Sequence, residues 1–148
     1  MASWRPDPTF YPSPKMAMQA PRERLGYVAL LDPGRERPDA LGVLDLDPDS
    51  GTYAQIVGRV EMPNAADELH HFGWNACSAA LCPYAPHPHV ERRYLIVPGI
   101  RSSRIHIVDT KPDPREPRIV KVIEPEELHG APATAGPTPS TAAPTAST

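Results

Sequence analysis

Eleven consecutive residues, Asp67 to Cys77 (D-E-L-H-H-F-G-W-N-A-C), hold two adjacent histidines, two acids, an amide and a thiol around a glycine and two large aromatics. Neutral imidazole and thiolate are good donors for late first-row metals, thiolate favouring copper(I) and zinc. His70, His71 and Cys77 are therefore candidate ligands. Successive side chains of a strand point to opposite faces, so only an irregular backbone lets both histidines serve one site. The alternative is structural: one histidine hydrogen-bonded in a core, the other half exposed, and Trp74 a core aromatic.

Other groups carry less chemistry. His87-Pro88-His89 has ligand spacing but lies in a proline-rich stretch where solvated histidines are ordinary. His106 alternates with Ile105 and Ile107 in R-I-H-I-V-D, which predicts a residue of the outer face or a strand-pair partner. Arg101-Ser102-Ser103-Arg104 reads as a turn with charged ends. Phosphate-binding glycine loops and nucleophile elbows do not occur. Cys77 and Cys82 are too few for a disulfide framework, and their spacing matches no standard zinc motif.

The elements that must position these residues are short and β-rich. Runs at Leu25 to Leu31, Ala40 to Asp47, Tyr53 to Met62, Arg93 to Val97, Arg104 to Asp109 and Arg118 to Glu124 read as strands of an antiparallel meander. D-P-G-R at Asp32 to Arg35 and D-P-D-S-G at Asp47 to Gly51 are turn sequences, in which proline presets φ and glycine is expected to take positive φ. Residues 1–21 read as an extended arm, because prolines 6, 8, 12, 14 and 21 exclude helix through most of it. The last nineteen residues, 130–148, are Gly, Ala, Pro, Ser and Thr throughout; they have too little to bury and are expected to be disordered.

A chain of 148 residues with net charge −3 and no dense basic patch excludes nucleic acid and anionic membranes as partners. The start has no apolar run of signal-peptide length, and no stretch approaches a membrane span, so a cytoplasmic location is expected.

Met62 to Cys77, read as M-P-N-x-x-D-E-L-H-H-x-G-W-N-x-C, resembles the signature of the selenium-binding protein (SBP56) and methanethiol oxidase family. The resemblance continues through Ile100 to Asp109 and Lys121 to His129, and covers roughly Arg5 to His129. It implies part of a seven-bladed β-propeller of several hundred residues. It also implies a copper-dependent oxidase that turns methanethiol into formaldehyde, hydrogen sulfide and hydrogen peroxide.

An internal repeat agrees with that architecture. Leu44-Asp45 followed by Val60-Glu61-Met62-Pro63 recurs as Val108-Asp109 followed by Val122-Ile123-Glu124-Pro125, and Glu68-Leu69-His70 recurs as Glu127-Leu128-His129. A period near sixty residues fits decorated blades. The expected fold is all-β, a partial propeller of about two blades over residues 22–129. His70 or His71 would then share a blade position with His129, and imidazoles from successive blades would converge on one channel as a copper or zinc site, with Cys77 nearby.

The chain also departs from the family. Ala54 stands where the best-known members carry the cysteine implicated in selenium attachment, so selenium binding by that route is doubtful. Cys77 matches the family thiol, whereas Cys82 is displaced. From Gly130 the sequence no longer resembles blades, which suggests a prematurely ended product, expected to be poorly stable because strand edges and apolar faces stay open. The expected function is that of a truncated methanethiol oxidase-like protein, inactive alone. The alternatives are a small β-rich module that sequesters a metal or a selenium or sulfur species, or an inert product.

Overall fold

The computed structural model describes residues 14–19, 21–76 and 91–130. Two helices and seven strands follow in the order α1 (Pro14–Gln19), β1 (Leu25–Leu30), β2 (Pro38–Asp45), β3 (Ile56–Ala65), β4 (Gly73–Trp74), β5 (Tyr94–Pro98), β6 (Ile105–Asp109), β7 (Arg118–Ile123) and α2 (Pro125–Gly130). The strands form two antiparallel meanders, β1-β2-β3 and β4-β5-β6-β7. All six expected strand runs are present within a few residues of their expected bounds. Cys77, Cys82, His87 and His89, with most of the expected arm and all of 131–148, lie outside the described residues.

The core joins the two sheets. Leu41 of β2, Met62 of β3, Leu95 and Val97 of β5, Val108 of β6 and Leu69 of the intervening loop form one buried cluster. Tyr27, Val60, Phe72, Trp74 and Ile119 pack around it. Alternation selects these residues: in β5 and β6 the buried positions pair across the ladder as Leu95 with Val108 and Val97 with His106. His106 does face away from Ile105 and Ile107, but the face it joins is the core, where it is fully buried. The expectation of an outer-face residue is thereby corrected.

The repeat has a structural counterpart in two aspartates. Asp45 ends β2 and Asp109 ends β6, and each carboxylate accepts the backbone N–H two residues on, from Asp47 at 2.9 Å and Lys111 at 3.0 Å. Such a local bond stops the strand and starts the turn. Asp45 also accepts from the hydroxyls of Thr52 at 2.6 Å and Ser50 at 2.7 Å. Asp109 is gripped by both guanidinium arms of Arg93, at 2.8 and 2.5 Å.

Turn chemistry differs from expectation. Both D-P-x sequences do turn the chain, yet the left-handed residues are Arg35 and Ala54, at φ 59° and 61°, while no described glycine has positive φ. Ala54 is held there by its N–H, which donates to Asp45 O at 2.8 Å. Residues 53–55 accordingly belong to the turn and β3 begins at Ile56, three residues later than expected. Helix also departs from expectation: α1 lies inside the arm read as extended, and the span 22–129, read as all-β, does not end in a strand. Instead α2 follows β7, with Pro125 in its first turn and the Glu127 carboxylate accepting the Glu124 N–H at 3.2 Å, the reciprocal half of a capping box.

Acid should test the aspartate turns. The Thr52 and Ser50 hydroxyls, with the Asp47 N–H, hold the Asp45 carboxyl at about 2, and Arg93 holds Asp109 below the usual carboxylate range. A folded-state value below the unfolded one, about 4, gives stability that is complete above that pH and is lost as pH falls through the folded value. The urea midpoint is expected to hold steady down to about pH 5 and to fall between about pH 4 and 2. Asp45→Asn should flatten that fall, and an unchanged acid slope in the variant would count against the assignment.

Candidate functional site

The histidine pair sits on the loop between β3 and β4, and that loop is built against local preference. Ala66, Glu68 and His71 all have left-handed φ, at 62°, 53° and 44°. Such residues persist when surrounding structure determines them. Here the strapping comes from two sides. Asp39, at the start of β2, accepts the Leu69 N–H at 3.0 Å and the Asp32 N–H at 2.8 Å through separate oxygens. From the β5–β6 turn, Pro98 O accepts from His70 N at 3.0 Å, and Ile100 N and Arg101 N donate to Glu68 O and Asp67 O at 3.0 and 3.2 Å.

Gly99 permits that close approach. A Cβ at this position would stand 2.6 Å from Ser102 Oγ and 2.9 Å from Asp67 O. The R-S-S-R segment is the turn between β5 and β6, as expected, and its arginines also close the site. Arg101 Nε pairs with the Glu68 carboxylate. Arg104 reaches the buried Asp67 with Nη1 at 3.1 Å and Glu124 with Nε at 2.8 Å. These two carboxylates, Glu124 first, hold the Arg104 guanidinium above its ordinary value.

The left-handed turn at His71 supplies the irregularity that lets neighbours face one another. The Nδ1 atoms of His70 and His71 are in direct contact, with ring centroids 3.9 Å apart and planes at 76°, and both residues are exposed. Two imidazole nitrogens turned together need a hydrogen or a metal cation between them, because two bare lone pairs repel; a neutral ring carrying its hydrogen on Nδ1 meets that need as well as a metal does. As a donor set this pair fits a metal that favours imidazole, and it is incomplete: among the described residues no group of three or more histidines, cysteines, aspartates or glutamates is arranged to hold a metal ion. His129 is exposed in α2, and Cys77 lies outside the described residues.

The two E-L-H segments take different conformations. Leu69 is buried and bridges to Gly99, whereas Leu128 is 43% exposed in a helix. Arg104 nevertheless connects them, through Asp67 three residues before His70 and through Glu124 at the mouth of α2.

The remaining conspicuous residues of the stretch have structural work. Trp74 meets Tyr27 edge to face at 5.7 Å and carries the Arg92 guanidinium 4.9 Å above its ring. Asn75 bonds to the backbone of Glu91, Arg93 and Tyr94. A separate cleft of about 640 Å³ near these aromatics is lined by Glu23, Leu46, Arg92 and Lys111. Its cations are paired, Arg92 with Glu23 and Lys111 with Glu91.

Sequence reasoning passed over Asp39, and gave Asp67, Arg104 and His106 no role in holding the site. Asp67 and His106 are fully buried, and His106 Nε2 lies 3.3 Å from Asp67 Oδ2. The available signal was a histidine on the same strand face as Val108, a position that otherwise reads as core.

No described helix is long and apolar enough to cross a membrane. The family described as 56kDa selenium binding protein (SBP56) matches residues 4–146, a span that runs past His129. Selenium-binding protein 2 of Arabidopsis thaliana is 45% identical over 120 residues, covering 80% of this chain and 24% of the relative. A methanethiol oxidase of Bos taurus is 44% identical over 121 residues, 80% of this chain and 25% of the relative. The X-ray structure of a hypothetical selenium-binding protein from Sulfolobus tokodaii superposes with a TM-score of 0.75 at 65% identity, covering 82% of this chain and 27% of that one. The chain thus spans about a quarter of the length of the relatives it matches. A family match across nearly the whole chain, together with these identities, shows that the chain belongs to the SBP56 family, which takes in the methanethiol oxidases.

Proposed function

We propose that this chain supplies the His70–His71 part of a copper site in a methanethiol oxidase-type protein, whose two sheets are an incomplete blade and a complete blade of a β-propeller. The observation that carries the reading is the pair of facing imidazoles on a loop strapped from two sides. The methanethiol oxidase relatives give the substrate class, a small thiol. The whole-protein reaction is methanethiol with O2 and water giving formaldehyde, hydrogen sulfide and hydrogen peroxide. Copper, when bound, supplies thiolate coordination and electron exchange with oxygen.

The chain's own residues have narrower tasks. His70 and His71 offer nitrogen donors, and the β5–β6 turn keeps their loop in place. Arg104 ties that loop to the segment bearing His129, which we assign as a further donor, and Cys77 is a candidate thiol beside the site. Two facing donors are not a complete site, so turnover is assigned to a protein of the relatives' full length. Selenium attachment at residue 54 has no thiol to proceed through, since alanine stands there.

Copper titration with and without His70→Ala/His71→Ala tests the reading. Loss of both nitrogens should weaken binding by more than the roughly 10- to 100-fold typical of outer-sphere changes. Retained affinity in the double variant would sink the site. The second reading, metal sequestration without catalysis, is favoured by the fact that two donors already face each other within this chain. Stoichiometric copper retention with no thiol-dependent peroxide, in a protein of the relatives' full length, would select it.

A further inference from the structure

The function proposed above gives no role to His106, which is buried against Asp67. His106 lies on the core face of β6, opposite Val97 of β5 and Val122 of β7. Its Nδ1 is 3.1 Å from the carbonyl oxygen of Val97. A carbonyl oxygen only accepts, so Nδ1 carries a hydrogen. Its Nε2 is 3.3 Å from Asp67 Oδ2, off the alignment of a regular hydrogen bond, and neither atom has another partner. A carboxylate also only accepts. Two bare acceptors facing each other out of water are mutually repulsive and costly, so a second proton belongs between them.

The surroundings place that proton on the imidazole. Arg104 Nη1 donates to Oδ1 of the same carboxylate at 3.1 Å, a charge-assisted bond that only an acceptor oxygen can take. The charged groups around the pair are Asp67 from the loop, Arg104 from the β5–β6 turn and Glu124 from the end of β7. Glu68 and Arg101 pair with each other at the rim. A cation in place of the proton would need further ligands, and among the described residues none is placed to supply them.

We propose that His106 is a positioning residue in the form of a buried imidazolium, whose Nε2–H anchors Asp67 and thereby fixes the loop that presents His70 and His71. The effect on metal rests on the function proposed above; the protonation state does not. Asp67 stands three residues before His70, and its backbone carbonyl accepts from Arg101 of the turn. Without the Nε2 proton, Oδ2 has no donor, and the left-handed residues at 66 and 68 lose the side chain that pins them to the core.

Side-chain ¹⁵N–¹H NMR of the 148-residue chain at neutral pH tests the proposal without metal. Both ring nitrogens of His106 are expected to carry protons. In Asp67→Asn, whose amide can donate to Nε2, the ring should become the neutral Nδ1–H form. A bare Nε2 in the unsubstituted chain overturns the proposal whether or not the variant folds. Copper(II) competition titrations of His106→Gln read the positioning role: binding should weaken roughly 10- to 100-fold, the usual size of an outer-sphere effect. Unchanged affinity in His106→Gln, where His70→Ala/His71→Ala abolishes binding, overturns positioning. If the double variant also binds normally, the metal reading fails and the NMR result alone decides the imidazolium.

Discussion

Arg104→Gln is expected to destabilise the chain by about 3 kcal/mol, seen as a lower urea midpoint with an unchanged slope. The reason is asymmetry. Asp67 has no solvent exposure, and Arg104 is the cation within hydrogen-bond reach of its Oδ1, at 3.1 Å. Removing one partner of a buried pair leaves a charge that water cannot reach, which typically costs about 3–5 kcal/mol. The lower end applies because the guanidinium keeps 27% of its surface in water and spends a second bond on half-exposed Glu124, and because the His106 imidazolium inferred above still faces Asp67 Oδ2 at 3.3 Å.

The accompanying double variant Arg104→Gln/Asp67→Asn should recover part of the loss, since an amide pair needs no counter-charge. Glu124→Gln should cost under about 1 kcal/mol, as expected for an exposed ion pair. If Glu124→Gln proved as harmful as Arg104→Gln, the dominant link would be the one to α2 and the buried Asp67 would matter less than its burial implies.

Strand order was legible in this sequence because its signals are local. Alternating runs and D-P-x turns fix where β1 to β3 and β5 to β7 lie, since side-chain period and proline's φ are set by neighbours, whereas the two-residue β4 is too short to show a period. Which face of a strand is buried is set by the opposing sheet, and His106 shows the limit: its alternation is right and its environment could not be read from R-I-H-I-V-D alone. The site was legible in the same partial way. The density of donors marks Asp67 to Trp74, but the strap from Asp39 bridges thirty positions and the clamp from Arg104 thirty-seven. Alanine at 54 and arginine at 35 in left-handed backbone run against residue preference, and the turn bonds that hold them, Ala54 N to Asp45 O and Arg35 N to Asp32 O, are not signalled by residue type.

Gly58 extends that argument to packing between the sheets. It lies in β3, where a glycine ordinarily weakens a strand and signals close approach of another segment. Here the approaching segment is the β6–β7 turn. A Cβ at residue 58 would stand 1.9 Å from the Arg115 carbonyl oxygen and 3.1 Å from a methyl of Val43. The oxygen is backbone, and the turn that carries it is held at several points. Pro114 O accepts the Tyr27 hydroxyl at 2.9 Å, Arg115 Nη2 lies 3.7 Å from buried Asp45, and the Asp113 carboxylate accepts the Arg115 N–H at 2.8 Å.

Gly58→Ala must therefore displace the turn, at a cost of about 3 kcal/mol, the upper part of the usual range for overpacking. Hydrogen exchange should show faster amides at Arg115 and Glu116 and in β7, with β1 little changed. Gly73→Ala is the control, because a Cβ there meets nothing within 4 Å and its cost should stay below about 1 kcal/mol. Equal tolerance of alanine at 58 and 73 would mean that the two sheets do not meet through this turn, and with it would fall the shared core that holds the His70–His71 loop in place.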